Sequence, residues 1–376
     1  MGRKALVLSI TYFFYGPLRD LALLEVVLGR AVSGADGWLP DHAVCCAADA
    51  RFPVLVAGAG GRAPGVLVAV SEAEAARLAF FAAGFAGAAQ AMTVMQAEGA
   101  VLAQVFCAVG RAGGAAWVYE DWQRQFGAEL RATARDVMAL YGVKPAAVVA
   151  ARFEQMLARG ASRVRAAQAA PLALRHAAAQ ADVAVAALRE PYARFFAMEE
   201  VDVRFRRFDG SMSPQVTRAG FIACDAVTVL PYDPVRDRVL VIDQFRAGPY
   251  LRGDPQPWQI EAIAGRIDPG ETPVEAARRE AVEEAGLVLD DLLPVASYYP
   301  SPGCSSEFLY SFVALTDLPD TAAGVFGVEG EAEDIRGHLL SFARLMALVA
   351  SGEISNAPTL LSALWLAQNR DRLRKA

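Results

Sequence analysis

The stretch from Gly265 to Gly286 constrains this chain more than any other part of it. Thr272 is a good helix N-cap, Pro273 suits the first helical position, and Glu275 completes a T-x-x-E capping box that would satisfy two backbone N–H groups at once. Gly286 stands where a residue of left-handed conformation ends a helix. The stretch therefore predicts a loop, a helix of about three to four turns, and a turn. On that helix Glu280, Glu283 and Glu284 fall within an arc of about 100°. Val274, Ala277 and Ala281 share a neighbouring face that can pack on a sheet. Three crowded carboxylates repel one another unless a cation sits among them, and hard oxygen ligands select Mg²⁺, with Mn²⁺ able to substitute. Arg279 is placed to hold part of the cluster by ion pairing. A solvated charged helix can carry E-x-x-E-E by chance. Agreement at seven spaced positions, Gly265, Glu271, Arg279, Glu280, Glu283, Glu284 and Gly286, has a chance on the order of 10⁻⁸ per start position.

A chain of 376 residues is long for one core, so two domains are expected. The formal net charge of -6 argues against nucleic acid or an anionic membrane as partner. An acidic protein that handles phosphate esters needs a local positive source, either a cation or placed arginines. The five cysteines include no C-x-x-C pair, and an odd number is no disulfide framework. The three histidines are scattered, so no His/Cys metal site is predicted. This usage fits a reducing cytoplasm. The opening MGRKALVLSITYFF has basic residues before an apolar run, like a signal peptide, but meets Tyr15-Gly16-Pro17-Leu18 rather than a small-residue cleavage site. It reads as a first buried strand.

Texture changes along the chain. Residues 1–125 mix β-rich runs (Ala5–Phe14, Val54–Val56, Gly65–Val70, Val101–Val109) with Gly-rich connections and read as α+β. Residues 126–197 carry Ala/Arg/Leu/Gln stretches such as Leu172–Leu188, and Gln123–Leu140 at their start is similar; both read as helices, forming an extension and linker. Residues 198–376 return to strands at Asp202–Phe208, Phe221–Leu230, Arg238–Phe245 and Leu309–Leu315, with terminal helices near Phe342–Ser351 and Thr359–Arg372.

The seven spaced positions form G-x5-E-x7-R-E-U-x-E-E-x-G-U, and the chain is identified by it as resembling the Nudix hydrolases; Ala281 is a small residue at the first aliphatic position. The resemblance implies an α/β/α sandwich with the box as loop–helix–loop. It implies that metal is held by the carbonyl of Ala264 and by Glu280 and Glu284, with Glu283 acting through water or a further ion. Further matches point to the ADP-ribose pyrophosphatase subgroup. Val239–Arg246 resembles its strand ending in Q-F-R. Pro257–Gly265 resembles its P-W-x-x-E-x-x-A-G approach, and Ser301-Pro302-Gly303 followed by Glu307 resembles its S-P-G-x-x-x-E pattern. Glu331–Arg336 resembles its E-x-E-D-I-R loop, which implies Glu331 as general base and Glu333 as a further metal-linked carboxylate. Arg246, Arg252, Glu261, Gly303 and Glu307 are the implied substrate contacts, and Glu283 and Arg279 are implied to assist catalysis. The implied reaction is hydrolysis of ADP-ribose to AMP and ribose 5-phosphate, with GDP-mannose or NADH as rival substrates and a non-hydrolysing ligand sensor as the rival class. Relatives of this kind are usually dimers, so a homodimer is expected.

Phe14–Leu18 resembles the Y-G-S/T-L loop of the γ-glutamylcyclotransferase-like fold, a β-barrel with helices. In that family a downstream glutamate moves the proton; the matching stretch here, Leu78–Gly84, puts Ala82 at its place, and Pro17 replaces the usual hydroxyl residue. The resemblance therefore implies the fold without the activity. The pairing of the two domains resembles bacterial tellurite-resistance Nudix proteins.

Overall fold

A computed structural model describes residues 9–48, 51–108, 111–327 and 334–375. The chain divides into two compact units, Met1–Ala170 and Pro171–Ala376.

In the first unit the strands are β1 (Ser9–Phe14), β2 (Ala35–Ala47), β3 (Val54–Ser71), β4 (Ala86–Gln96), β5 (Gly99–Ala108) and β6 (Ala112–Ala116). The helices are α1 (Leu21–Leu28), α2 (Glu72–Ala82), α3 (Tyr119–Gln125), α4 (Gly127–Ala139), α5 (Ala146–Ala150) and α6 (Phe153–Ala166). The sheet runs β3-β1-β5-β4-β2-β6, and β3 also pairs with β2, so five strands close into a barrel. Closure removes the open edges that a sheet with this much Ala and Gly would otherwise present. Of the expected strand Ala5–Phe14, residues 5–8 lie outside the described residues and Ser9–Phe14 forms β1, whose Phe13 and Phe14 are buried. Phe13, Leu39, Val94 and Val105 fill the barrel, while Phe14, Leu23, Phe81, Trp122, Val137 and Phe153 form the core between barrel and helices. Helices α3 to α6 pack into that core, so they belong to the first unit.

The second unit opens with β7 (Val183–Ala193), β8 (Ala197–Phe205) and β9 (Val216–Ile222), an antiparallel sheet of three. Here the structure corrects the expected helix over Leu172–Leu188. Residues 171–179 carry no regular element, Gln180–Asp182 make one 3-10 turn, and the rest enters β7, which pairs with β8 from Val183↔Phe205 to Ala193↔Ala197. Alanine favours a helix by only a few tenths of a kcal/mol per residue, and a ladder to a waiting strand outweighs that.

The main sheet contains β10 (Ala226–Asp233), β11 (Arg238–Phe245), β12 (Trp258–Glu261), β13 (Ile263–Arg266), β14 (Asp291–Tyr298), β15 (Leu309–Leu315), β16 (Val325–Phe326) and β17 (Ile335–Ser341). Its helices are α7 (Ala247–Arg252), α8 (Pro273–Ala285), α9 (Phe342–Ser351) and α10 (Ala357–Leu373). The order is β14-β15-β10-β11-β17-β16, with β12 on β11 and β13 on β10, and β10 runs parallel to β15. Strand alternation sorts the two cores. Val227, Val229, Leu240 and Ile242 face α8, and Leu230, Tyr232, Val239 and Val241 face α9 and α10. The expected single strand Phe221–Leu230 is broken at Ala223–Asp225, where the chain leaves the small sheet for the main one. The break is pinned by Ser306, whose hydroxyl accepts from the Ala223 N–H and donates to its carbonyl, and by Ile267 N–H donating to the Asp225 carbonyl.

Candidate functional site

The site is built on α8. Its capping box forms as the sequence implies: Thr272 accepts from the Glu275 N–H, and Glu275 accepts from the Thr272 N–H at 2.8 Å. Gly286 ends the helix at φ 63°. The face toward the sheet is Ala276, Ala277, Ala281 and Ala285, all buried, whereas Val274 lies at the exposed margin. The expected stripe of Val274, Ala277 and Ala281 is thus rotated toward Ala276. Small side chains let the helix axis approach the sheet, and Val274 in the first turn would hold it off.

That close approach brings the acids to the backbone of β13. Glu284 is 2% exposed, and its Oε2 accepts from the Ala264 N–H at 3.0 Å. The carboxyl of Glu280 rests on Gly265, where a β-carbon would lie 1.9 Å from the carboxyl carbon. Arg279 ties the set together. It donates to Glu271 at 2.9 Å, Glu280 at 2.7 Å, Glu283 at 3.0 Å and the Arg266 carbonyl at 2.9 Å. Glu271 first, and then Glu280, hold the guanidinium firmly in its charged form.

These residues fit a hard divalent cation in kind. Glu280, Glu283 and Glu284 offer carboxylate oxygens beside the Ala264–Gly265 backbone, in a cradle that a side chain at Gly265 would fill. Among the described residues no three acidic side chains converge on one point, since Glu280 and Glu283 both turn to Arg279.

A cleft of about 800 Å³ opens over this cradle. Arg246 lines it and is paired with Glu261 at 2.7 Å. Glu307 lines it from the loop before β15, and burial raises its pKa against the opposing pull of Arg246. Ala264, Glu280, Glu283, Arg279, Arg246, Glu261 and Glu307 are therefore brought together. Arg252 is not: it is 80% exposed, pairs with Asp254 at 3.6 Å, and does not line the cleft. Gly303 is exposed and does not line it either. Glu331 and Glu333 lie outside the described residues.

Sequence reasoning missed Phe195, Phe196, Arg266, Asn356 and Thr359, which also line the cleft. Thr359 accepts from the Ala262 N–H at 2.9 Å and Asn356 donates to the Ile260 carbonyl at 2.8 Å, seating the start of α10 beside the site. The Asn-x-Pro pattern there signals a helix start, but nothing in it says where that start docks. The adjacent aromatics Phe195 and Phe196 were the one legible hint.

In the first unit, Ala82 is 2% exposed at the end of α2. Tyr15 accepts from the Ala108 N–H at 3.1 Å, and burial raises its pKa to about 12. The small cavity beside it, about 20 Å³, is walled by Phe14, Pro17, Phe52, Phe85 and Phe106, among others, with no carboxylate in its lining.

Fold and cleft together define an α/β/α sandwich with an acid-lined cleft, in a chain whose first unit is a β-barrel with helices. A model of the NUDIX domain matches residues 223–360, and one of the γ-glutamyl cyclotransferase, AIG2-like domain matches residues 12–124. An ADP-ribose pyrophosphatase of Escherichia coli (strain K12) is 39% identical over 193 residues, covering 51% of this chain and 91% of that one. An ADP-ribose pyrophosphatase of Haemophilus influenzae is 31% identical over 199 residues, covering 52% and 91%. A GDP-mannose pyrophosphatase of Yersinia enterocolitica is 31% identical over 153 residues, covering 41% and 78%. The chain belongs to the Nudix hydrolase family. Its N-terminal unit is a γ-glutamylcyclotransferase-like domain.

Proposed function

We propose that this protein hydrolyses the diphosphate bond of ADP-ribose to AMP and ribose 5-phosphate, using Mg²⁺ or Mn²⁺. The observation that carries the reading is the assembly of Glu280, Glu284 and the Ala264–Gly265 backbone beneath one cleft that also holds Arg246, Glu261 and Glu307. Two relatives named for ADP-ribose support the choice of substrate.

Glu280, Glu284 and the Ala264 carbonyl would hold the ion, with Glu283 and Glu333 in support. Bound there, a divalent cation neutralises diphosphate oxygens and acidifies water. Glu331 takes the proton of the attacking water as general base. Arg279 keeps Glu280 and Glu283 in place, and the Arg246–Glu261 pair with Glu307 shapes the floor that meets the substrate. We read the N-terminal unit as the cyclotransferase fold without that activity. Ala82 cannot move a proton, and the cavity at its Tyr15 loop has room for about one water and no acid to serve it.

The test is a panel of ADP-ribose, GDP-mannose and NADH with Mg²⁺, followed by product release. ADP-ribose should show the highest kcat/KM. GDP-mannose turned over far faster would transfer the assignment to the activity named in the Yersinia relative, and no turnover of any of them would leave a ligand sensor.

A further inference from the structure

Three arginines line the cleft, and they are not equivalent. Arg279 is committed to Glu271, Glu280 and Glu283, and Arg246 to Glu261. Among the described residues no carboxylate pairs with Arg266. Its guanidinium lies instead over the Phe195 ring, 4.3 Å from the centroid. Phe195, itself half exposed, is braced from one side, since it meets Phe196 edge-on at 4.8 Å, and Phe196 meets Phe221 at 4.7 Å. The root of Arg266 is fixed. Its backbone pairs with Ala226 in the sheet, and its carbonyl accepts from Arg279 at 2.9 Å.

A guanidinium laid on a ring has one face covered, while its five N–H donors lie in its plane and point outward. That edge matches phosphate oxygens, and little side-chain entropy remains to be lost on binding. The cleft lining holds five acids (Glu261, Asp268, Glu280, Glu283, Glu307) against three arginines, so an anionic ligand needs a cation not already neutralised.

We propose that Arg266, held on Phe195, is a specificity-determining residue that takes the phosphate oxygens of a nucleoside diphosphate ligand. This rests on the reading of the cleft as a diphosphate site and names a contact that the box motif does not contain.

The test is calorimetry with α,β-methylene-ADP-ribose, ADP and adenosine at millimolar Mg²⁺, on the full chain and on Arg266→Met and Arg266→Lys. Methionine keeps the packing on Phe195 and loses the charge. The expected result is affinity for the methylene analogue and for ADP weakened about tenfold or more by Arg266→Met, less by Arg266→Lys, with adenosine unchanged. Arg266→Met binding the analogue as tightly as wild type would overturn the proposal. So would an equal loss for adenosine, since Arg266 would then serve the base or the packing. In kinetics Arg266→Met should raise KM with kcat nearly constant, the mark of uniform binding. A wild-type chain that fails to cleave ADP-ribose overturns the assigned reaction, while a persisting difference for ADP keeps the Arg266 contact.

Discussion

Glu280 and Gly265 are in contact across the helix–sheet junction: the carboxyl group occupies the space that a β-carbon on Gly265 would need. The first glycine of the box is therefore required for room, with its φ playing no part, since Gly265 is not among the residues of positive φ. Gly265→Ala should push Glu280 away from the β13 backbone. Misplacement by about 1 Å costs on the order of 10²-fold, so kcat/KM should fall by at least that much with the Tm little changed. Wild-type activity in a folded Gly265→Ala protein would show that Glu280 need not sit there.

Glu284 accepts from the Ala264 N–H, a bond that glutamine can also accept. Glu284→Gln should therefore keep the fold and lose turnover, by about 10²-fold or more. Thermal melting and a rate assay on the same preparation check both halves. Near wild-type rates would remove Glu284 from the ion site.

Glu331 lies outside the described residues, and its role comes from the E-x-E-D-I-R resemblance. Loss of a general base costs roughly 10² to 10⁴ in rate. Glu331→Gln should lower kcat by that order and leave KM nearly unaffected. A change confined to KM would make Glu331 a binding residue.

Burial pushes Glu307 above the ordinary carboxylate value of 4.5. A carboxyl whose folded pKa is raised binds its proton more tightly in the native chain. Its contribution is full below the unfolded value and is lost as pH rises through the folded one. As pH rises through the folded value, Glu307 therefore weakens the fold relative to a neutral isostere. Glu307→Gln should raise the Tm at pH 7, with the gain shrinking toward about pH 4. A gain that grows on acidification would reverse the sign and refute the burial argument.

Strands β11 and β15 and helix α9 have the ends that hydrophobic periodicity and flanking turns imply, because each buries a face its own residues define. Leu172–Leu188 does not, because alanine is indifferent enough for a neighbouring strand to decide. Val274 lies off the buried stripe for a related reason: periodicity gives a helix its stripe to within about one residue, and packing fixes its rotation.

The loop–helix–turn of the box, its caps, and the crowding of Glu280, Glu283 and Glu284 on one side were legible in the amino-acid order alone, since all of these depend on residues within about one or two turns of each other. It took long-range packing to seat Glu280 on Gly265, to bring Glu307 and Arg246 to the same cleft, to leave Arg252 and Gly303 outside it, and to add Phe195 and Arg266 to it. Those are contacts between segments far apart in the chain. Their geometry follows from how closely an alanine-faced helix can settle on a sheet and from which strands the sheet admits, and neither is encoded within any single segment.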